Sequence, residues 1–372
     1  MKILGPICVL IVLGLLTAGL WPFNMFPKNE VSWLTDQNGL QFGGKATIFS
    51  SRTFEVTRSN GEPFCSLETW LQPARGDVGE SVTILAFYTP DNPLQLRLKQ
   101  YRDGLFVRRD YRDRQNRLRT AQIEIEHAFR QDERVLFTIT VGANSASAYL
   151  NGVWVKGFPH FGLSCNSFSG QLIVGNSPIT DNPWQGKVFG VAIYNQGLTS
   201  EEVSRHYATW THNQVPEGIA KDSVRALYSF GERSGGIIHN SMGPGPDLYI
   251  PETFGILHKR ILAPPWEEFS PQLSYVWDIL INMAGFIPFG FFFYAYLTCN
   301  RQWNRAAVVT IVSGGIISVS IEVLQGFIPS RMSGVTDVIT NTLGTSLGVI
   351  LWRWQPVQAV VAKLSGRSYF RD

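Results

Sequence analysis

The sequence predicts a multidomain membrane protein with an all-α part of four transmembrane helices and an all-β sandwich. Three observations point to this fold class. Four apolar runs of about 20 residues flank a long polar segment, and a run of that length crosses a hydrocarbon core of roughly 30 Å. The polar segment, 28–256, contains many short stretches in which apolar and polar residues alternate, as in β-strands. Turn signals with glycine separate those stretches.

The average composition hides this division. The 372 residues carry a net charge of +3, with 44% hydrophobic and 16% charged residues, and that charged share is low for a soluble protein. So small a net charge gives no indication of a nucleic-acid-binding surface. Most Asp, Glu, Asn and Arg residues lie between about 28 and 265. We therefore expect a membrane protein without a nucleic-acid partner.

The first apolar run, 3–21, follows Lys2. It is long enough to span a bilayer, but a cleaved signal peptide has the same order of charge and apolar residues. No clean cleavage site follows, and Leu20 stands where a lipoprotein signal would need a cysteine. The sequence therefore favours an uncleaved anchor in the segment 1–25, with the signal peptide as the alternative.

Three further apolar runs lie in the segment 275–354, at 276–297, 306–327 and 335–352. Basic residues of short loops face the cytoplasm in most membrane proteins. With a cytoplasmic N-terminus, nearly all of the basic residues near the runs fall on that side, including those in the tail 355–372. We thus expect both termini in the cytoplasm and the polar segment outside. The residues concerned are Lys2, Arg301, Arg305, Arg353, Lys363, Arg367 and Arg371.

The polar segment predicts strands joined by tight turns. "YRDGLFV" and "YLNGVWV" contain the Asp-Gly and Asn-Gly pairs typical of two-residue hairpins. One helix is predicted over 199–210, where Thr199 and Glu202 have the spacing of a capping box. Many strands with few helices favour a β-sandwich. The predicted strands lie within 66–73, 81–89, 94–109, 135–155, 170–175 and 186–195.

Several stretches of this segment resemble a known family in order and spacing. "SLETWLQP", "VLFTITVGANSASAYLNGVWVKG", "LIVGN" and "WQGKVFGVAIYNQGLTSEEVSRHY" are similar to the laminin-G-like, concanavalin-A-like jelly roll. Such domains often begin with a strand like "ALYSFGERSGGIIHNSMGPGPDLYIP", which here comes last, at 226–251. We therefore predict a circularly permuted jelly roll over 28–256; the alternative is a fragment of a second sandwich.

The resemblance implies that this domain binds glycans or proteins. Aromatic side chains suit sugar faces, and the sequence offers Tyr101, Tyr111, Trp154 and Trp184 as candidates, although core packing is the alternative for each. Some relatives bind calcium, for which Asp181 and Asn182 are candidate ligands without a full coordination set. No other cofactor or metal is expected. Cys65 and Cys165 are the cysteines of the polar segment, so a disulfide and two buried thiols both remain open.

Polar residues recur near one end of the last three apolar runs. They form three pairs with spacings of three or four, which places each pair on one helix face. The predicted topology brings all three pairs to the outer leaflet, next to an arginine in a short loop. The residues are Asp278 and Asn282, Glu322 and Gln325, Asp337 and Asn341, and Arg331.

The same region resembles the VanZ family. "DILINMAGFIPFGFFF" and "SVSIEVLQGFIPSRMSGVTDVITNTLGTSLG" carry the family's Phe-x-Pro-x-Gly, Glu-x-x-Gln, Pro-x-Arg and Asp-x-x-x-Asn-x-x-Gly patterns. The resemblance implies a bacterial cytoplasmic-membrane protein. It also brings an association with teicoplanin resistance from the family's founding member. The sandwich is then an insertion between the first two helices, followed by a linker over 257–274.

Two functions compete. In the first, the protein binds a cell-wall or surface glycan, or an envelope protein, and the membrane cluster is structural, with Arg331 paired to Glu322 and Asp337. In the second, a membrane enzyme acts on a lipid-linked saccharide or peptidoglycan precursor. There Arg331 would bind an anionic group, and Glu322 or Asp337 would serve as acid or base. The first is favoured, and whether the protein is an enzyme is left open.

Overall fold

The computed structural model describes residues 3–55, 64–112, 115–142, 145–159, 161–212, 223–301, 303–357 and 359. The chain divides into two compact units. The sandwich unit is Pro27–His258, and the helical unit consists of the chain before and after it. Most of the predicted tail, 355–372, lies outside the described residues.

The sandwich unit contains two antiparallel sheets. In the described residues, sheet 1 has the order β1–β2–β13–β4–β9–β10–β11, with β14 also paired to β13, and sheet 2 has the order β15–β16–β3–β12–β5–β6–β7–β8. The strands are β1 (Val31–Trp33), β2 (Leu40–Phe42), β3 (Ile48–Ser50), β4 (Cys65–Pro73), β5 (Val82–Tyr88), β6 (Leu96–Tyr101), β7 (Gly104–Arg112), β8 (Leu118–Ile125), β9 (Val135–Val141), β10 (Ser145–Leu150), β11 (Val153–Pro159), β12 (Gln171–Val174), β13 (Gly186–Tyr194), β14 (Val224–Tyr228), β15 (Ile237–Ile238) and β16 (Leu248–Tyr249).

The main core lies between the sheets, and a smaller core lies outside sheet 1. Strand β4 is buried on both faces: Leu67 and Leu71 join the main core, whereas Trp70 packs with Val203 and Trp210. The last two belong to helix α2 (Ser200–Thr211). The predicted capping box of this helix is confirmed, because the Thr199 hydroxyl accepts from the Glu202 amide and the Glu202 carboxylate accepts from the Thr199 amide.

The two ends of the sandwich unit lie side by side. The Phe254 amide donates to the Pro27 carbonyl at 2.8 Å, and the Asn29 amide donates to the Glu252 carbonyl at 3.0 Å. The segment 226–251, which suggested permutation, supplies most of β14 and all of β15 and β16. It is therefore part of the same two sheets, while the permutation itself stays a prediction.

The helical unit contains helices that match the apolar runs closely. They are α1 (Leu4–Leu20), the short α3 (Pro265–Glu268), α4 (Leu273–Tyr296), which continues through Pro288, α5 (Ala306–Gln325) and α6 (Val335–Arg353). Within the described residues, two spans are long and apolar enough to cross a membrane, at 273–299 and 306–325. The four crossings expected from the sequence are therefore supported for α4 and α5 and stay a prediction for α1 and α6.

Helices α4 and α6 approach closely because glycines line their contact. A Cβ atom on Gly344 would lie 2.1 Å from the Met283 carbonyl oxygen, and one on Gly348 would lie 2.2 Å from that of Ile287. Small residues at this spacing are typical of helix pairs in membranes. The contact places the polar residues of α6 against those of α4.

Candidate functional site

Two carboxylates of the helical unit accept hydrogen bonds from backbone amides at the start of α6. The buried Glu322 accepts a hydrogen bond from the Gly334 amide at 2.8 Å, and Glu268 accepts one from the Thr336 amide at 3.1 Å. The first amides of a helix have no partner within it and carry partial positive charge. Both acids therefore satisfy backbone groups that would otherwise lack partners.

The side-chain amides of Asn282 and Asn341 connect α6 to the neighbouring helices. Asn282 of α4 donates to Asp337 at 2.7 Å, and Asn341 of α6 donates to the Ser318 hydroxyl of α5 at 2.9 Å. The fourth acid, Asp278, is exposed. Hydrogen bonds of this kind hold helices together in a bilayer.

Two cations of the helical unit, Arg331 and Lys259, bind carbonyls at helix C-termini. Arg331 donates through Nε to the Trp21 carbonyl at 2.9 Å and through Nη2 to that of Ala18 at 3.3 Å. Lys259 donates to the Gln325 carbonyl at 2.9 Å. The last carbonyls of a helix also lack internal partners and favour cations. Gln325 itself donates to the carbonyl of Gly19 at 2.8 Å.

The expected pairing of Arg331 with Glu322 and Asp337 is therefore wrong. In the described part of the chain, no carboxylate lies within ion-pair distance of Arg331. Instead, the guanidinium caps α1, while Glu322 caps α6. Each of these charged side chains lies at a helix end of opposite partial charge. Most of the cluster therefore stabilises the fold.

Sequence reasoning missed two members of this cluster, Lys259 and Glu268. Both lie in the segment 257–274, which the sequence marks as a proline-rich linker. Their partners are backbone groups near α5 and α6, about 65 residues further along the chain. The spacing of residues along the sequence does not predict contacts between segments so far apart.

A second group of charges lies on the sandwich unit. Leu96 and Leu98 of β6 point into the main core, so Arg97 and Lys99 lie on the opposite, outer face of sheet 2. We call the charged group on this face the platform, and it consists of Arg97, Lys99, Arg108 and Asp110. Arg97 Nη2 donates to Asp110 Oδ2 at 2.9 Å, and the hydroxyl of Thr120 donates to Asp110 Oδ1 at 2.8 Å.

Positive charge exceeds negative charge on the platform. Arg97 and Arg108 are directly opposite each other on β6 and β7, where like charges repel. Burial, together with the charges of Arg97 and Arg108, lowers the pKa of Lys99 to about 8. Asp110 is the single carboxylate among these four residues, so the group carries an excess of two positive charges when Lys99 is protonated.

The candidate aromatic residues fall into different environments. Tyr101 is 38% exposed and Trp154 is 54% exposed; Tyr101 continues the outer face of β6, and Trp154 lies on the edge strand β11 of sheet 1. Tyr111 is half-buried beneath the guanidinium of Arg109. The alternation in "LRLKQY" is the signal that could have placed Arg97, Lys99 and Tyr101 on one face.

Trp184 is not available as a glycan contact, and core packing, the alternative that the sequence left open, holds for this residue. Trp184 is fully buried, and its indole Nε1 donates to Gln100 Oε1 at 2.9 Å. The surrounding "SPITDNPW" has the composition of a surface loop, but the tryptophan folds back into the core just before β13. A buried ring with a satisfied indole is part of the packing rather than a contact for a ligand.

The structure joins Cys65 and Cys165 in a disulfide, with Cα atoms 5.6 Å apart. Asn182, a candidate calcium ligand, accepts through Oδ1 from the Thr83 hydroxyl at 2.9 Å. Within the described residues, no group of three or more His, Cys, Asp or Glu side chains is arranged to hold a metal ion. Calcium binding by Asp181 and Asn182 stays a prediction.

Two family models match the chain. The model described as VanZ/LLP1 matches residues 237–356, and a model of the concanavalin A-like lectin/glucanases superfamily matches residues 43–204. The chain combines a VanZ-like domain with a concanavalin-A-like domain. The VanZ-like match begins in β15, well before the predicted start at 275. No curated protein matches the chain.

Solved structures match the chain only weakly. The binding domain of Paraclostridial Mosquitocidal Protein 1 is 13% identical, with a TM-score of 0.35, over 50% of this chain and 47% of that one. The botulinum neurotoxin serotype G binding domain is 14% identical, with a TM-score of 0.32, over 49% and 42%. This chain thus spans less than half the length of either structure. A likeness at this level carries no conclusion about function.

Proposed function

We propose that the chain is a bacterial cell-envelope protein whose concanavalin-A-like domain binds a glycan and whose VanZ-like helices anchor it in the cytoplasmic membrane. The observation that carries the proposal is the outer face of sheet 2. There the exposed ring of Tyr101 lies two residues from Lys99 on the same strand, next to the platform. Aromatic rings beside charged side chains offer a sugar both an apolar face and hydrogen-bond partners.

The surface of the helical unit supports the membrane anchor. Exposed apolar residues follow one stripe of α5 at spacings of three and four, and a second stripe follows α6. A stripe of this length in water would be an aggregation liability, whereas in a bilayer it faces lipid. The residues are Val308, Val312, Ile316, Val319 and Val323 on α5, and Ile339, Leu343, Leu347 and Ile350 on α6.

Exposed aromatic residues support a membrane interface near the polar cluster. Trp266 and Phe269 lie in and just after α3, Trp277 lies in the first turns of α4, and Trp21 follows α1. Trp is enriched where a bilayer meets water. We propose that this end of the helices faces outward, with both termini of the chain in the cytoplasm and the sandwich outside, as the basic residues predict.

The arrangement of the polar cluster favours a structural role over a catalytic one, and so leaves recognition of a ligand to the sandwich. Glu322, the best-placed candidate acid, is 2% exposed and already accepts a hydrogen bond from a helix amide. Arg331 uses two of its nitrogens on backbone carbonyls. The enzyme alternative and the association with teicoplanin resistance remain proposals that come from the family resemblance.

Glycan binding by the full-length protein in lipid nanodiscs tests the proposal. We expect the wild-type protein to bind members of a glycan array and Tyr101→Ala to reduce the affinity up to about tenfold, since an aromatic contact contributes roughly 0.5–1.5 kcal/mol. Trp154→Ala, which removes the other exposed candidate ring, on sheet 1, is the comparison variant and should bind normally; a loss of binding in this variant alone would indicate a site on sheet 1 and would overturn the proposal. If the wild type binds no glycan, or if Tyr101→Ala binds as well as wild type, the proposal fails.

A further inference from the structure

We infer that the ligand of the platform carries an oxyanion, a carboxylate or a sulfate, that binds beside Lys99 and Arg108; the inference rests on the proposed function and names the class of glycan. The shared chemistry is a negatively charged group with two or more acceptor oxygens. Neutral sugars lack it, whereas uronic acids and sulfated sugars have it. Four observations on the platform support the inference.

The first observation is the arrangement of the cations. Arg97 and Arg108 are direct partners on adjacent antiparallel strands, and Lys99 is paired with Phe106. Directly opposite side chains start about 5 Å apart and diagonal ones about 7–8 Å apart. All three cations therefore project from one small area, within reach of a single oxyanion.

The second observation is unused hydrogen-bonding capacity. The side-chain Nε atoms of Arg97 and Arg108 are both buried without a hydrogen-bond partner, and Arg97 as a whole is only 8% exposed. Buried polar groups in folded proteins are normally paired. An arginine fork fits the oxygens of a carboxylate or sulfate, and the side chain of Arg108, which is 39% exposed, is the one of the two that a ligand can reach.

The third observation concerns Lys99. Across the described chain, its ammonium group has no acceptor at hydrogen-bond distance and no carboxylate within 4.0 Å, although the residue is half-buried. Burial and the two arginines together lower its pKa to about 8. A bound anion would favour the charged form of Lys99 and so would bind more tightly than a neutral group of the same shape.

The fourth observation is that neighbouring acids do not balance the platform. Asp110 accepts from Arg97 through Oδ2 and from Thr120 through Oδ1, and the same Oδ1 lies 3.8 Å from Arg108 Nε. On β8, Glu124 is opposite Phe106 and the neutral Gln122 is opposite Arg108. The side of the platform next to Lys99 and Arg108 thus keeps an excess of positive charge.

The test compares three polymers on the full-length protein in nanodiscs of phosphatidylcholine: polygalacturonate, dextran sulfate and neutral dextran. We expect at least one acidic polymer to bind more tightly than dextran. Lys99→Met should weaken that binding by at least about tenfold, because the substitution removes a charged hydrogen-bond donor. Lys187→Met removes a half-buried lysine from sheet 1 and is the matched control, expected to bind like wild type. The two acidic polymers distinguish a carboxylate from a sulfate.

A second measurement separates this inference from the proposed function. At equal ionic strength, sodium sulfate should raise the Tm of the wild type over its value in sodium chloride by more than it raises that of Lys99→Met. If sulfate has this effect and no polymer binds, the oxyanion site stands and glycan binding fails. If dextran binds as well as the acidic polymers and Lys99→Met changes nothing, glycan binding stands and the oxyanion inference is overturned. If Lys99→Met matches wild type in both measurements, the inference is also overturned.

Discussion

The helical unit and the sandwich unit both gather charged side chains, but they neutralise them in different ways. In the helical unit, Arg331 and Lys259 bind carbonyls at helix C-termini, and Glu322 and Glu268 bind amides at the start of α6. In the sandwich unit, Arg97 and Arg108 on adjacent strands share the carboxylate of Asp110, while Lys99 beside them has no carboxylate within 4.0 Å in the described chain. The first arrangement satisfies backbone groups that folding would otherwise leave without partners, while the second leaves donors unused.

The difference separates two roles for charge. A charge that binds a helix end contributes to stability, and most of its hydrogen-bonding capacity is occupied. A cation held beside other cations lowers the stability of the fold. An anionic ligand would reduce the repulsion and would bind to the unused donors. Removal of a charge that binds a helix end should therefore destabilise the helical unit, whereas on the platform the result should depend on the sign of the charge removed.

The largest effect is expected for Asp110→Ala. The substitution leaves Arg97 buried beside other cations, and loss of one partner of a buried pair costs about 3–5 kcal/mol. Urea unfolding followed by tryptophan fluorescence measures the change. Asp103→Ala, which removes a half-exposed acid beside β7, is the control and should have little effect. A change below about 1 kcal/mol for Asp110→Ala would mean that this carboxylate is not what balances the platform.

Glu322→Ala should lower the free energy of unfolding of the helical unit by about 1–3 kcal/mol, because the Gly334 amide is left buried without a partner. Glu322→Gln should cost less, since the amide oxygen still accepts that hydrogen bond. Thermal unfolding in micelles, monitored by circular dichroism, measures both variants, with the exposed Asp278→Ala as control. Stable variants that lose a lipid-linked product would instead favour the enzyme alternative.

Arg331→Met should destabilise the helical unit by about 1 kcal/mol, the scale of a cation at a helix C-terminus. Arg305→Met makes the same change at the N-terminal end of α5, where Arg305 is the N-cap residue without a capping hydrogen bond. That variant should be neutral or slightly stabilised, as a cation is unfavourable at that end. Equal destabilisation of the two variants would contradict the assignment of Arg331 to a helix end.

Lys99→Met should give the smallest change, a gain in stability of less than about 1 kcal/mol near neutral pH, because partly exposed charges are screened. The pKa of Lys99 is lowered from 10.5 to about 8 by folding, so between these values the unfolded chain binds more protons. Wild-type stability should therefore rise relative to Lys99→Met as the pH increases from 8 to 10. A fall over this range would show that the lysine is stabilised by a partner.

Local signals in the sequence predict local structure well in this chain. The Asn-Gly turn between β10 and β11 adopts positive φ at both residues, +51° at Asn151 and +80° at Gly152, as the hairpin type requires. The capping box at Thr199 and the ends of α5 and α6 lie within a residue or two of their predicted positions. In each case the determining interactions lie within a few residues of one another.

Contacts between distant segments explain what the sequence does not predict. Arg331 selects carbonyls at the end of α1 over the acids nearest to it in sequence, because only the folded unit brings that helix end within reach. Lys259 and Glu268 come from an apparent linker for the same reason. Trp184 lies in a turn-rich stretch whose composition suggests a surface, and only the packing of β13 shows that its ring is buried.

The hydrogen bonds between the two ends of the sandwich unit have an evolutionary consequence. A domain whose entry and exit are adjacent is a cassette, because a host loop can accept it without first spanning the width of a folded domain. The Pro27–Phe254 and Asn29–Glu252 hydrogen bonds already hold the two ends of the cassette together. They offset the conformational entropy that is lost when a loop of this length is closed. We therefore expect that this segment can be exchanged for another domain with adjacent ends, or for a short turn.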